Sequence, residues 1–136
     1  MSWAARRLDD VPVVSRASMH DPIWHPVQHF FGLTAFGANV FVAERGDETL
    51  VEAHDEQASG QEELYLVLAG SAAFELDGEA ILARQGTLVA VTDPAVRRRA
   101  AATAPGTSLL VVGTRPGCFE TTWRGSHFAD VPRAGG

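Results

Sequence analysis

Glu62-Glu63-Leu64-Tyr65-Leu66-Val67-Leu68-Ala69-Gly70 is the stretch on which the fold turns. Successive side chains of an extended chain point to opposite sides. Glu63, Tyr65 and Val67 therefore share one face, and Leu64, Leu66 and Leu68 the other. Glu62 stands at the edge of the run; from Glu63 onward both faces are apolar or aromatic apart from the Glu63 carboxylate, and Gly70 ends the run. A charge opening a buried strand costs several kcal/mol unless something pairs with it. Glu63 is thus either a ligand or base in a pocket, or the structural partner of a cation.

The same grammar extends to both sides. Upstream, Ala38 to Glu44 is apolar and β-prone and is broken by Gly46-Asp47. Leu50 to Glu56 alternates, with Leu50, Glu52, His54 and Glu56 on one face. Downstream, Ala72 to Leu76 and Glu79 to Ala83 flank Asp77-Gly78, a two-residue hairpin turn, because glycine tolerates the positive φ that a type I′ turn demands. Gln85-Gly86 is a further turn, Thr87 to Thr92 is apolar up to Asp93-Pro94, and Arg97 to Ala102 and Ser108 to Gly113 follow across Pro105-Gly106. Short strands at intervals of about 8 to 12 residues, with a turn at each gap, predict an all-β antiparallel barrel or sandwich. Pro26 to Phe31, closed by Gly32, predicts one helical turn. Residues 1–20 and 115–136 read as arms outside the barrel core of about 38–114, giving one domain over 1–136.

Composition narrows the function classes. Eleven Lys plus Arg against seventeen Asp plus Glu give a net charge of −6. Such a surface repels phosphate backbones and anionic lipid, so neither nucleic acid nor membrane is the expected partner. The N-terminus lacks the apolar core of a signal peptide, no apolar run is long enough to span a bilayer, and Cys118 is the only cysteine. The expectation is a soluble cytoplasmic protein without an internal disulfide. Nothing matches a nucleophile elbow, a P-loop or a dinucleotide fingerprint, so nucleophilic hydrolysis and nucleotide chemistry have no support.

Over roughly residues 38–114 the chain resembles the cupins, small barrels carrying the motifs G-x5-H-x-H-x3,4-E-x6-G and G-x5-P-x-G-x2-H-x3-N. Glu63 and Gly70 reproduce the E-x6-G end of the first motif. His54-Asp55-Glu56 stands where H-x-H belongs, with six residues rather than three or four before Glu63. Gly86 opens the second motif, Pro94 falls two residues late, and Arg98, or Arg99 if the turn is longer, holds the place of its histidine. The resemblance implies a cupin-type antiparallel β-barrel (double-stranded β-helix, or jelly roll) and a homodimer. It also implies a divalent transition metal on the motif's histidines and glutamate. Here that set keeps His54 and Glu63, replaces the second histidine by Glu56, and loses the last to a guanidinium, which has no lone pair to donate.

The candidate pocket residues are therefore His54, Glu56, Glu63, Tyr65 and Arg98. His54 is a ligand or acid–base group, or else a hydrogen-bonded wall residue. Glu56 is a ligand, or sits at a loop edge in water. Tyr65 aims its hydroxyl at a ligand, or is core with that hydroxyl satisfied. Alternation puts Arg98, Ala100 and Ala102 on one face and Arg97 and Arg99 on the other; the inward set would clamp an acidic molecule through its planar fork or neutralise Glu63, and otherwise the run is a charged edge strand. His25 and His29, without a third ligand, read as surface histidines, and Cys118 as a bystander. Three function classes follow. The first is a barrel binding a small polar or acidic molecule without a tightly held metal. The second is a metal-dependent dioxygenase, isomerase or decarboxylase using His54, Glu56 and Glu63, and the third a non-catalytic dimerising protein whose Arg–Glu pairs close the interior. The apolar stretch Val11 to Val14 is the candidate for a strand exchanged between copies.

Overall fold

Alternation of apolar residues becomes two packed antiparallel sheets in the computed structural model, which describes residues 2–135. The strands are β1 (Ile23–His25), β2 (Gly37–Val42), β3 (Thr49–His54), β4 (Glu62–Ala69), β5 (Ser71–Leu76), β6 (Glu79–Arg84), β7 (Leu88–Val91), β8 (Arg98–Ala102) and β9 (Ser108–Thr114). One sheet runs β1-β2-β9-β4-β7 and the other β3-β8-β5-β6. The two are not joined by a continuous ladder, so the barrel is open along its seams and has the form of a jelly-roll sandwich. A single helical turn, α1 (Val27–Phe31), is capped by Gly32 in the left-handed conformation at φ 68°, as the Pro26 and Gly32 positions predicted.

Leu50, Tyr65, Val67, Phe74, Ala100 and Leu109 form the centre of the core. Tyr65 on β4 meets Phe74 on β5 edge to face, with ring centres 5.5 Å apart, and so ties one sheet to the other. The hairpin at Asp77-Gly78 has both residues at positive φ, 52° and 83°. β3 departs from simple alternation. Its register against β8 slips between Thr49 and Val51 and again between Val51 and His54, so Leu50 and Val51 are both buried.

Two expectations about the arms change. β1 was not legible in the sequence; it pairs with β2 through Trp24↔Phe41 and His25↔Val40. His25 is not a surface histidine: its ring is buried, with Nδ1 2.9 Å from the Val11 carbonyl oxygen. His29, by contrast, is exposed on α1, as the sequence predicted. Val11 is itself buried on its own chain and the Val14 amide donates to the Trp24 carbonyl at 2.9 Å. The segment proposed for exchange therefore lies along β1 of the same molecule. No helix among the described residues is long and apolar enough to cross a membrane.

Candidate functional site

Glu63, the second residue of β4, turns its side chain toward the interior and is almost wholly enclosed. Its neighbour across the sheet is Gly113 of β9, where a Cβ would lie 3.2 Å from Glu63 Cγ. The glycine therefore leaves the room into which the glutamate turns. Three groups approach the same oxygen, Glu63 Oε1. The Tyr65 hydroxyl donates at 2.6 Å, Arg98 Nη1 donates at 2.8 Å, and His54 Nε2 lies 3.8 Å away. Burial pushes the Tyr65 phenol well above its ordinary value of 10.0, and its hydrogen bond to the Glu63 carboxylate adds to this.

Arg98 resolves the choice left open by the sequence: it points inward and is 1% exposed, while Arg99 points outward to Glu75 at 2.9 Å. The guanidinium is not free to clamp a ligand. Nε and Nη2 donate to the Val96 carbonyl at 3.1 and 2.8 Å, Nη2 also reaches the carbonyls of Asp93 and Pro94 at 3.4 Å, and Nη1 goes to Glu63. Those contacts fold the side chain back onto the loop before β8, so Arg98 stands behind Glu63 rather than in the wall of the cavity.

His54, at the end of β3, sits opposite Arg98 in the β3–β8 pairing. Its Nδ1 lies 2.7 Å from the Glu52 carbonyl oxygen, an acceptor, so Nδ1 carries a hydrogen. Nε2 is then left facing two carboxylates, Glu56 Oε1 at 3.1 Å and Glu63 Oε1 at 3.8 Å. The three side chains thus turn one imidazole nitrogen and two carboxylate oxygens toward a common point. The extra loop length before Glu63 is absorbed by a turn in which the Gly60 amide donates to the Glu56 carbonyl at 2.7 Å. The Ser59 hydroxyl donates to Glu56 Oε2, which leaves Oε1 for His54. One donor atom each from His54, Glu56 and Glu63 lies within 4.8 Å of the others. Asp55 turns away; the Gln57 amide, and then its side chain, hold that carboxyl below its usual value.

These groups form one end of a cavity of about 740 Å³. His54, Glu63 and Tyr65 are in its wall; Glu56 is not, and reaches the site only through His54. Sequence reasoning missed the rest of the wall to which Glu63 and Tyr65 belong, Trp24, Asn39, Phe41 and Val111 of the same sheet. Trp24 Nε1 donates to Asn39 Oδ1 at 2.8 Å and its ring lies 6.1 Å from that of Phe41. Alternation along β2 would have found Asn39 and Phe41, which share a face; nothing in the pattern marks Trp24, because β1 is too short. A strap from Val14 to Pro22 also lines the cavity, held in part by the Arg16–Glu44 ion pair.

Two sheets of this topology, packed around a cavity with a polar end, define a jelly-roll barrel. No family model matches the chain, and no curated protein matches it. Solved structures do. A cupin protein from Bacteroides fragilis is 18% identical, with TM-score 0.63 over 82% of this chain and 91% of that one. A sugar phosphate isomerase of the cupin superfamily from Silicibacter pomeroyi is 18% identical, with TM-score 0.68 over 82% and 76%. A predicted oxalate decarboxylase from Thermotoga maritima is 14% identical, with TM-score 0.64 over 82% and 99%. The chain has the cupin fold.

Proposed function

We propose that the chain is a small-molecule-binding cupin barrel, and that its ligand is a compact molecule rich in hydroxyl or amino donors. The observation that carries this is the uneven lining of the cavity: flat apolar surface from Trp24 and Phe41 on β1 and β2, and acceptors gathered further along the same sheet at Glu63, with His54 facing it from β3. Apolar walls with a few convergent polar groups are the common form of a small-molecule site. An acidic ligand held by Arg98 loses its basis, since that fork is committed to backbone carbonyls and Glu63. A closed, purely structural interior is disfavoured by a cavity of this size. The sugar phosphate isomerases among the similar folds agree with a small polar ligand but do not identify one here. The test is a panel of monosaccharides, sugar alcohols and their phosphates, read by thermal shift and tryptophan fluorescence. At least one member should raise the melting temperature in wild type and fail to do so in Val111→Trp, which fills the cavity. No shift across the panel, with no small molecule retained in native mass spectrometry, would remove the proposal.

A second reading, a metal-dependent cupin enzyme, is favoured by one observation: His54 Nε2 faces Glu56 Oε1 and Glu63 Oε1. An imidazole nitrogen and two carboxylate oxygens fit a divalent ion, but Glu63 Oε1 is shared with Tyr65 and Arg98, so the set suits a loosely held ion rather than a closed four-ligand site. A bound ion would polarise a ligand oxygen as a Lewis acid. Elemental analysis of protein purified without an affinity-tag metal, followed by titration with manganese, iron, nickel and zinc, decides this reading. Stoichiometric uptake that is lost in His54→Ala supports it, and no uptake eliminates it.

A further inference from the structure

Asn39 lies on β2, half-buried in the wall of the cavity, on the same face of the strand as Phe41. Register fixes its place relative to the polar end. Asn39 pairs with Val111 of β9, and Val111 pairs with Tyr65 of β4. The three form one row across the sheet, and Glu63 is the neighbour of Tyr65 on the same face of β4. Val111, between them, is buried and offers only methyl groups. The backbones of β2 and β4 stand two strand spacings apart, about 10 Å. A single guest of monosaccharide length, lying over Val111, therefore reaches both the Asn39 amide and the Glu63 carboxylate.

The amide is not free to turn. Trp24 Nε1 donates to Asn39 Oδ1 at 2.8 Å, and an indole nitrogen can only donate. The amide must show its oxygen to Trp24 and keep both hydrogens on Nδ2, on the other side. Among the described residues nothing accepts from Nδ2, and no side-chain polar atom is both buried and unpartnered, so Nδ2 has access to open space. Glu63 is the converse case. Its Oε1 takes the hydrogens of Tyr65 and Arg98, while Oε2 has no donor among the described residues. One sheet face thus carries an oriented donor and an unfilled acceptor.

We propose that Asn39, oriented by Trp24, makes the cavity selective for a neutral polyhydroxy guest, a linear polyol or a monosaccharide, over a diamine or a diacid of the same length. This rests on the proposed binding function and names the class of guest. A hydroxyl both donates and accepts. One hydroxyl gives its hydrogen to Glu63 Oε2 while another turns a lone pair to Asn39 Nδ2. An ammonium group has hydrogens for Glu63 but no lone pair for Asn39. A carboxylate has lone pairs for Asn39, but a second one at the far end has no hydrogen for Glu63 and is repelled by its charge. The rings of Trp24 and Phe41, 6.1 Å apart, flank the amide and take the carbon chain.

The test is isothermal titration of the full chain with three sets of probes: erythritol, xylitol, xylose and glucose; the diamines putrescine and cadaverine; and the diacids succinate and glutarate. At least one polyol or sugar should bind at least about tenfold more tightly than any diamine or diacid, since leaving Asn39 or Glu63 unpaired costs about that much. In Asn39→Asp a carboxylate oxygen still accepts from Trp24, but the donor facing the guest is gone. The favoured guest should lose at least about tenfold and the diamines should gain. Thermal unfolding monitors that the variant stays folded. Trp24→Phe is a second route that adds no charge: it keeps an aromatic ring but releases the amide to turn its oxygen to the guest, so the margin over the diamines should narrow. A wild type that binds diamines or diacids as well as polyols overturns the assignment and leaves the binding function standing. So does a folded Asn39→Asp variant whose preference is unchanged. No binding by any of these probes also overturns it, and the binding function falls with it only if the wider panel of sugar phosphates is silent as well.

Discussion

Glu63 Oε1 accepts from Tyr65 and Arg98 at once, and the two donors differ in what they lose without it. Arg98 is wholly enclosed, so Glu63→Ala strands a buried guanidinium with no counter-charge. We expect a loss of about 3–5 kcal/mol in denaturant unfolding. Glu63 itself borders the cavity, so Glu63→Leu combined with Arg98→Leu should cost less than Glu63→Ala alone. An equal or larger cost in the double variant would mean that Arg98 acts chiefly through its backbone contacts. Tyr65 is the only tyrosine, which makes its proton directly observable. Its phenol is raised above 10.0, so the folded protein keeps a proton that the unfolded chain gives up. The stability this represents is complete below pH 10.0 and falls as the pH rises above that value. Tyrosinate absorbance should therefore be missing at pH values where a free tyrosine has ionised, and should appear together with unfolding. A non-cooperative rise near the ordinary value would show that the hydroxyl is reached by water. Glu63 and Tyr65 were legible as sharing a face because β4 keeps a period of two, whereas the sequence left Arg98 and Arg99 as alternatives and His54 lies beyond two register shifts in β3. The orientation of the Arg98 fork was not legible, since it is set by carbonyls of residues 93–96 that carry no side-chain signal.

At the scale of elements, the strands that the sequence predicted are the ones bounded by turn residues, and Gly70 shows why such residues are informative. It has φ 74°, and a Cβ there would lie 2.3 Å from Thr107 Oγ1 and 2.8 Å from Thr107 Cα. Thr107 is fully buried and its hydroxyl donates to the carbonyls of Ser71 and Ala104 at 3.0 and 2.7 Å, so it has nowhere to move. Gly78, at φ 83°, has open space around it. Both substitutions by alanine incur backbone strain of about 1–3 kcal/mol, but Gly70→Ala adds a steric clash. Its melting temperature should fall clearly below that of Gly78→Ala. Comparable losses would mean that the Thr107 contact relaxes freely. β3 was read with uniform alternation, and its two register shifts have no counterpart in residue type; a bulge inserts a residue without changing composition. β1 escaped for a related reason, since three residues are too few to display a period.

For the whole molecule, the sequence placed the barrel between about residues 38 and 114 and called both ends arms; the strands from β2 to β9 span 37–114. What it could not convey is that the N-terminal arm is part of the cavity while the C-terminal arm touches little, because that difference lies in long-range packing rather than local pattern. Hydrogen exchange should separate the layers. Amides of residues 15–21 are expected to exchange orders of magnitude faster than those of β4 and β9, which pair within the sheet. The Val14 amide, bonded to Trp24, should be slower than its neighbours in the strap. Uniformly slow exchange across 14–21 would mean that the strap is as rigid as the barrel.

Ser15, Arg16, Ala17, His20, Asp21 and Pro22 line the cavity, yet their segment supplies no strand to either sheet. The shape of that part of the lining is thereby uncoupled from the work of folding. Substitutions at Ser15, Ala17 or Asp21 alter the lining while His54, Glu63 and Tyr65 stay as they are, so under the proposed function the choice of guest is open to change without rebuilding the scaffold.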